Sequence, residues 1–185
     1  MSLDPLRRLC QRLGDPPAEP ELAALDAAFA ALPPERAGVA RHLPRLLGPR
    51  PGAWWSECLV EEGRWHLSLF LLPAGERLPL HDHPGMHVWT RVLHGRLALR
   101  AFDWVTRDPP RARPAPELAL DPTSPPVRAT PELRNVHELQ ALAPTAVLDL
   151  FVPYYDRLRG RPCRYWEPGQ AHPDGTRSLV LVREE

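Results

Sequence analysis

Apolar residues in the first fifty positions follow the spacing of amphipathic helices. Between residues 22 and 32 strong helix formers dominate, and leucine or phenylalanine recurs three or four positions apart on one helical face. Pro33 and Pro34 end this segment, because proline lacks the backbone donor that a helix interior needs. A second short helix is predicted from Glu35 to Leu47. Residues 1–50 are therefore predicted to form a helical cap that packs on the rest of one structural domain.

After residue 51 the pattern changes to short strands separated by turn residues. Leu97, Leu99 and Ala101 alternate with Arg96, Ala98 and Arg100, which is typical of a strand with one buried face. The proline-rich stretch from residue 108 to 126 is predicted to be a loop or an exposed excursion. The predicted strands run from Trp65 to Leu72, Leu78 to His83, Val88 to Leu93, Arg96 to Trp104, Val136 to Leu142, Ala146 to Val152 and Ser178 to Val182.

Many short strands with no helices between them favour an all-β fold, an antiparallel sandwich or barrel over residues 51–185. The formal net charge is +0, so nothing favours a nucleic acid or an anionic membrane as a partner. The three cysteines are widely spaced and form no C-x-x-C pair, which argues against a disulfide framework and for a reducing compartment. No apolar run has the length of a membrane span, and a cytoplasmic protein is expected.

The segment from Leu78 to His87 places two imidazoles two residues apart in an apolar, strand-like run. Because side chains alternate along a strand, His81 and His83 are predicted to point to one face and Asp82 to the other. Two neutral imidazoles on one face supply half of a metal site. Among the remaining histidines His137 is the strongest third ligand, since it begins a later strand that a barrel would return to the first pair. A surface histidine is the alternative for this position.

Three neutral imidazoles would leave the charge of a divalent cation uncompensated. Such an ion favours an anionic, soft donor such as a thiolate, because coordination lowers the pKa of the thiol. With three protein ligands, iron(II) keeps coordination positions open for substrate and dioxygen, and oxygen addition to sulfur is the chemistry that fits. Zinc accepts the same ligands, so the ligand set alone leaves both metals open.

Several motifs resemble those of one enzyme family, in the same order along the chain. The run from Leu78 to Met86 is the most specific, and Gly95 and the segment from Ala101 to Trp104 follow it. The later matches are Pro122-Thr123-Ser124, Asn135-Val136-His137, Leu148 to Tyr155 and Arg161 to Tyr165. Over residues 65–166 the chain thus resembles the thiol dioxygenases that comprise 2-aminoethanethiol dioxygenase and the plant cysteine oxidases.

This resemblance implies a cupin barrel that holds non-haem iron(II) through His81, His83 and His137. It also implies conversion of a thiol to a sulfinic acid with dioxygen, on free cysteamine or on the N-terminal cysteine of a peptide. Asp149 would then be a candidate anchor for the substrate amine, and Tyr155 a pocket hydroxyl. Without the resemblance, Asp149 is a polar residue that closes a strand and Tyr155 is a partly buried aromatic.

The chain departs from the family pattern at positions that border the predicted pocket, which bears on substrate choice more than on metal binding. Relatives usually have two prolines before the tyrosine that matches Tyr155, whereas this chain has Pro153 and Tyr154. Cupins usually carry a glutamate ligand four residues after the second histidine, where this chain has His87. A fourth imidazole ligand is one interpretation of His87. A residue that lines the pocket or hydrogen-bonds to a ligand is the preferred one.

Cys163 and Tyr165 match a Cys-x-Tyr pair found in part of the family. A thioether crosslink between them is one interpretation, and a buried structural cysteine is the simpler one. Two other functions fit the same metal site. The protein could be a non-catalytic metal-binding cupin that senses a small ligand, or a cupin enzyme that acts on a carbon substrate. The oligomeric state is left open.

Overall fold

The structure, a computed structural model, describes residues 3–49 and 52–185 of the 185-residue chain. Its α-helices are α1 (Asp4–Arg12), α2 (Glu19–Ala30) and α3 (Leu43–Leu46). Short 3-10 helices cover Pro34–Ala37, Val39–Arg41 and Arg157–Arg159. Within the described ranges, no helix combines the length and apolar character that crossing a membrane requires. The first predicted helix is thus present as α2, while the second is broken into three short pieces.

Twelve strands follow within the described residues: β1 (Trp55–Glu62), β2 (Trp65–Leu72), β3 (Arg77–His81), β4 (His87–His94), β5 (Leu97–Arg107), β6 (Pro110–Pro114), β7 (Leu118–Leu120), β8 (Val127–Ala129), β9 (Val136–Ala141), β10 (Thr145–Val152), β11 (Arg164–Ala171) and β12 (Arg177–Glu184). They form an antiparallel five-stranded sheet in the order β1-β2-β10-β4-β8 and a seven-stranded one in the order β6-β12-β11-β3-β9-β5-β7. Because β6 also pairs with β5, six strands of the second sheet close into a barrel. The predicted fold class, an all-β antiparallel barrel with a helical N-terminal segment, is confirmed.

The prediction of a loop or an exposed excursion from residue 108 to 126 is wrong for residues 110–114 and 118–120, which form strands. Residues 110–114 form β6, which pairs with both β5 and β12, and residues 118–120 form β7 on the edge beside β5. The prolines of β6 stand at its first and last positions, Pro110 and Pro114. A missing backbone donor is tolerated at a strand terminus, so a proline-rich segment can still pair there.

Four apolar clusters occur among the described residues, and three of them show how the sheets and helices pack. One lies between the two sheets and includes Leu72 and Val147 from one sheet and Leu97 and Leu139 from the other. A second lies inside the closed ring of strands, around Phe102. The third covers the outer face of the five-stranded sheet with the N-terminal helices. The predicted boundary of the cap, at residues 50 and 51, lies outside the described residues, and this division stays a prediction.

An irregularity in β3 decides which way its last histidine points. Leu78 packs between the two sheets, whereas Leu80 packs inside the ring of strands, although regular alternation would put both on one face. The pairing of β3 with β9 shifts register between Leu78 and His81, which brings His81 opposite His137. A register shift of this kind re-aims side chains. His81 is therefore placed beside His137 by the shift and not by simple alternation.

Candidate metal centre

Three histidines converge at one end of the space between the sheets. His81 ends β3, His83 follows in the turn after it, and His137 is the second residue of β9. Their ring centroids lie 4.6 to 5.1 Å apart in the three pairs. Each ring offers one ligand atom, and these atoms all lie within 4.8 Å of one another. The group is therefore able to bind a metal ion.

Hydrogen bonds at the far side of each ring determine which nitrogen faces the centre. The Nδ1 atoms of His81 and His137 contact the carbonyl oxygens of Pro79 at 2.8 Å and of Arg134 at 3.2 Å. A carbonyl can only accept, so each Nδ1 carries the proton. Both rings are thereby held in the tautomer whose Nε2 has a free lone pair.

The hydroxyl of Tyr155 holds the ring of His83 in the same tautomer, with the proton on Nδ1. This hydroxyl donates to the carbonyl oxygen of Asp82 at 3.0 Å, and it lies 2.7 Å from His83 Nδ1. Because its only proton is used in the first bond, it accepts from Nδ1, and His83 Nε2 is left bare. His83 Nε2 and His137 Nε2 are 3.1 Å apart. Two lone pairs at this distance repel unless a cation lies between them, which fits a metal ion.

Burial keeps these rings neutral. It lowers the pKa of His81, lowers that of His83 well below the usual value, and lowers the pKa of His137 to about 3. The neighbouring imidazoles act in the same direction, because a second positive charge at this separation is unfavourable. Neutral imidazoles are the form that coordinates metals, so the ligands do not need to lose protons near neutral pH.

Asn135 holds the turn that carries His83, a role that the sequence did not reveal. This fully buried amide donates to the carbonyl oxygens of His83 and Thr130, at 2.8 Å each. Its Oδ1 accepts from the backbone N–H of His83 at 3.3 Å and from the indole of Trp104 at 3.1 Å. The only sequence signal was its place in the motif before His137.

Asp82 points away from the three rings, as predicted. Its Oδ1 accepts from the backbone N–H of Arg164 at 3.1 Å. Burial raises the pKa of this carboxyl to about 6, and the nearby charge of Arg164 opposes that rise. No carboxylate belongs to the convergent group among the described residues.

A pocket of about 190 Å³ opens beside His81 and contains Asp149. Asp149 lies in the middle of β10, where Val147 and Phe151 on the same face pack inward. The residue is 3% exposed, its Oδ1 has no hydrogen-bond partner among the residues that the structure describes, and Thr90 on the neighbouring strand bonds to the carboxyl. Burial raises its pKa to about 7. The carboxyl is thus a buried acid with an unused acceptor, on the wall of the pocket.

Aromatic and basic side chains form most of the rest of this pocket. Tyr155 lines it, and its hydroxyl contacts the thiol of Cys163 in addition to its bonds with Asp82 and His83. Cys163 also lines it, and its thiol interacts with the hydroxyls of Tyr155 and Tyr165; burial raises the pKa of this thiol. The lining residues that sequence reasoning did not single out include Trp54, Phe70 and Arg183. They come from three separate strands or connections, so no local motif marks them.

His87 does not lie with the other three histidines, so it is not a fourth ligand of that group. It begins β4, and alternation puts it on the same face as Trp89, which packs against the helices. Its ring lies 6.1 Å from the ring of Trp89, and it lines a separate surface groove with Pro16 and Arg161. The preferred interpretation, that His87 lines the pocket beside the ligands, is also not met.

Comparison with known proteins gives one consistent family. A family model described as PCO_ADO matches residues 56–178. The chain is 32% identical over 155 residues to 2-aminoethanethiol dioxygenase of Mus musculus, a match that covers 71% of this chain and 59% of the mouse protein. It is 34% identical over 110 residues to plant cysteine oxidase 1 of Arabidopsis thaliana, covering 56% of this chain and 38% of that protein. The chain thus spans little more than half the length of the mouse relative.

Solved structures with a similar fold include a cupin superfamily protein from Desulfitobacterium hafniense, 16% identical, with a TM-score of 0.45 over 58% of this chain and 84% of that one. KdgF from Halomonas sp. is 18% identical, with a TM-score of 0.45 over 60% of this chain and 87% of that one. The family match covers well over half of the 185 residues. The predicted resemblance is confirmed, and the chain belongs to the PCO_ADO family.

Proposed function

We propose that this protein is an iron(II)-dependent thiol dioxygenase that converts an aminothiol to the corresponding sulfinic acid. The observation that carries the proposal is the set of three neutral imidazoles whose ligand atoms lie within 4.8 Å of one another, beside a pocket. The membership of the PCO_ADO family supports the same reaction class. His81, His83 and His137 are the proposed ligands.

When bound, iron(II) would supply the redox chemistry that adds both atoms of dioxygen to the sulfur of R–SH and gives R–SO₂H. The chain's part is to hold the ion without neutralising it, because all three ligands are uncharged. A site that retains positive charge stabilises a thiolate over a thiol. This charge state favours a thiol substrate over a neutral carbon substrate.

Asp149 is the proposed partner of the substrate amine. The carboxyl has an unused acceptor oxygen in a pocket of about 190 Å³, which suits the small end of an aminothiol. A cationic amine beside this carboxyl would favour its ionised form, opposing the effect of burial on its pKa. The resulting ion pair would lie away from solvent, so removal of one partner should be costly.

Tyr155 acts in this proposal as a positioning residue for His83. Its hydroxyl fixes the tautomer and the orientation of the ring through the bond to Nδ1. Groups that hydrogen-bond to metal ligands in this way tune metal affinity.

Three free cysteines at positions 10, 58 and 163 fit a reducing compartment, and we place the protein in the cytoplasm on that ground.

The test is aerobic incubation of the iron(II)-loaded protein with cysteamine, free cysteine and a peptide that begins with cysteine. We expect at least one thiol to gain two oxygen atoms by mass spectrometry, with stoichiometric dioxygen uptake. The variant His137→Ala should lose both the bound iron and the reaction. If iron binds with the expected stoichiometry but no thiol gains oxygen, the proposal is wrong.

A matched pair of variants tests the role of Asp149. Asp149→Asn should raise KM for cysteamine by about tenfold or more, because a buried ion pair with the amine is lost. The same variant should change KM much less for 3-mercaptopropionate, a thiol without an amine. An equal loss for both thiols would exclude Asp149 as the amine anchor.

A further inference from the structure

A second group of metal-ligating side chains lies outside the three-histidine centre. Cys58, Glu61 and His66 come from the hairpin formed by β1 and β2, and their ligand atoms lie within 4.8 Å of one another. His66 is 6% exposed, whereas Cys58 and Glu61 are open to solvent. We propose that these three side chains form a second metal site, which takes a borderline-soft divalent cation of the zinc type.

A β-bulge brings the two ligands of β1 to the same face. Cys58 and Glu61 are three residues apart, so they would point to opposite faces of a regular strand. The pairing shifts register between Cys58 and Val60, so that Cys58 lies opposite Ser68 and Glu61 lies opposite His66. Since Ser68 and His66 share a face of β2, the extra residue turns both ligands towards it.

His66 presents one nitrogen that has no good partner. Its Nε2 lies 2.6 Å from Ser68 Oγ, while its Nδ1 meets, within the described part of the chain, only the Cys58 sulfur at 4.0 Å. If Nε2 donates to Ser68, then Nδ1 carries a lone pair directed at the thiol. The ring is stacked on Tyr154, with centroids 4.0 Å apart, so its orientation is held by packing. A buried, oriented imidazole with an unused nitrogen is what a metal site requires.

The separations suit a tetrahedral ion after a small movement. Zinc bonds of about 2.3 Å to sulfur and about 2.0 Å to nitrogen place these atoms about 3.6 Å apart. The observed separation between Cys58 Sγ and His66 Nδ1 is 4.0 Å. Cys58 and Glu61 are exposed side chains on the edge strand β1, so they are free to close this gap.

The charge of the group also fits a cation and selects among metals. Binding would displace the thiol proton to solvent, and the thiolate and carboxylate together would neutralise a divalent ion. A thiolate, an imidazole and a carboxylate suit zinc or cobalt(II), whereas three imidazoles suit iron(II) as well. Solvent would complete the coordination. The two sites are separated by Tyr154, which stacks on His66 and contacts Tyr155.

Cobalt(II) is the probe for this site, because a cobalt–thiolate bond gives a charge-transfer absorption that imidazole ligands do not. The reduced, metal-free full chain is titrated anaerobically with cobalt(II). We expect two equivalents to bind and the thiolate band to develop with one of them. Competition with zinc should abolish the band. The same titration of the variant His137→Ala should retain the band, which separates this proposal from the proposed function.

Variants on the same hairpin supply the controls. Cys58→Ser should lose the band and one equivalent of metal, and Glu61→Gln should weaken that equivalent by about tenfold or more. Glu62→Gln is the matched control, because its carboxylate bonds to Arg7 and is not in the cluster. Cys163→Ser controls for the thiol beside the three histidines. One bound equivalent without a thiolate band, or a band that disappears in Cys163→Ser instead, would overturn the proposal.

Discussion

Asp149 is a carboxylic acid on a strand whose eight residues are all buried. Ser68 on one neighbouring strand and Thr90 on the other lie directly opposite it, and they are the polar residues nearest in register. The inner face of the five-stranded sheet thus carries a short polar row in an apolar surface. Because burial raises the pKa of Asp149 to about 7, this carboxyl penalises folding when it is ionised.

This penalty predicts a pH dependence of stability in the metal-free protein. The carboxyl of an unfolded chain loses its proton at about pH 4, whereas the buried carboxyl of the native state keeps its proton up to about pH 7. The contribution of Asp149 to stability is therefore highest below pH 4 and falls as the pH rises to 7. Asp149→Asn removes this fall, so the variant should gain melting temperature over the wild type across that window.

The measurement is thermal unfolding of both proteins, freed of metal with a chelator, at intervals between pH 4 and pH 8. Only the difference between the two proteins reports on Asp149, because the three histidines with lowered pKa stabilise the fold in the opposite direction as the pH rises. A difference that stays constant across the window would show that Asp149 has an ordinary pKa.

Asn135 gives a second prediction at the scale of one residue. Asn135→Ala should lower the free energy of unfolding by about 1–3 kcal/mol, because buried groups of His83 lose their hydrogen bonds. It should also weaken iron(II) binding by about 10–100-fold, since the ligand is no longer held in place. The readouts are chemical denaturation and metal titration. Gln140→Ala, on the same strand but bonded to Arg77 at the surface, should change neither.

At the scale of elements, the hairpin between β4 and β5 depends on Gly95. This glycine has φ of +82°, and an added Cβ would lie 2.1 Å from the carbonyl oxygen of Pro144. The turn is therefore sharply bent, and its backbone also packs tightly against the connection that precedes β10. Gly63, in the turn between β1 and β2, also has a positive φ, of +55°, but an added Cβ would meet nothing within 4 Å.

The two glycines separate backbone strain from steric overlap. Gly63→Ala should lower the free energy of unfolding by about 1–2 kcal/mol, which is the energetic penalty for an alanine in the left-handed conformation. Gly95→Ala should lower the free energy of unfolding by about 1–3 kcal/mol more than Gly63→Ala, because the backbone of Pro144 must also move. Denaturant unfolding of both variants measures the difference. Equal losses would mean that the contact with Pro144 relaxes without cost.

The elements also differ in how far they can be predicted from their own residues. The strand from Trp65 to Leu72 was predicted with its observed bounds, because a continuous apolar run is a local signal. The strands β7 and β8 have three residues each, and β11 contains Pro168, so neither length nor composition marks them. These strands exist because longer neighbours supply their hydrogen-bond partners, which is information from distant parts of the chain.

At the scale of the whole molecule, the helical segment serves as the cover of the five-stranded sheet. Phe29 on α2 is fully buried against the outer face of that sheet. Trp89 on β4 donates from its indole to Asp26 at 2.5 Å, and Arg91 donates to the carbonyl oxygen of Leu32 at 2.7 Å. The helices therefore carry both apolar and polar contacts to the sheet, on the face opposite the pocket.

Phe29→Ala should lower the free energy of unfolding by about 3–5 kcal/mol, through lost burial and the cavity left behind. Iron(II) affinity of the folded variant should not change, because the residue contacts the face of the sheet opposite the histidines. Leu47→Ala, in the same segment but 55% exposed, should have an effect within about 0.5 kcal/mol. Denaturation and metal titration give both quantities. A loss of metal affinity in Phe29→Ala would show that the helices position the site.

The all-β class, the first helix and the His81 and His83 pair follow from the residues alone, whereas His137 joins the pair only through the family resemblance. These features depend on local periodicity, or on residue types whose chemistry is specific. The outward direction of Asp82 was also predicted correctly. The prediction that His81 and His83 lie on one strand is wrong for His83, because β3 ends at His81 and a register shift sets the direction of the His81 ring.

The groups around the candidate metal centre are set by packing between distant parts of the chain. The tautomers of the rings depend on oxygens of Pro79, Arg134 and Tyr155, which come from three separate segments. The pKa of Asp149 depends on what buries it, and the direction of His87 depends on the register of β4. Burial and hydrogen-bond partners are properties of the packed chain, because they arise between residues far apart in sequence. Local patterns therefore mark the candidate ligands, while packing decides how these side chains are held and what lies beside them.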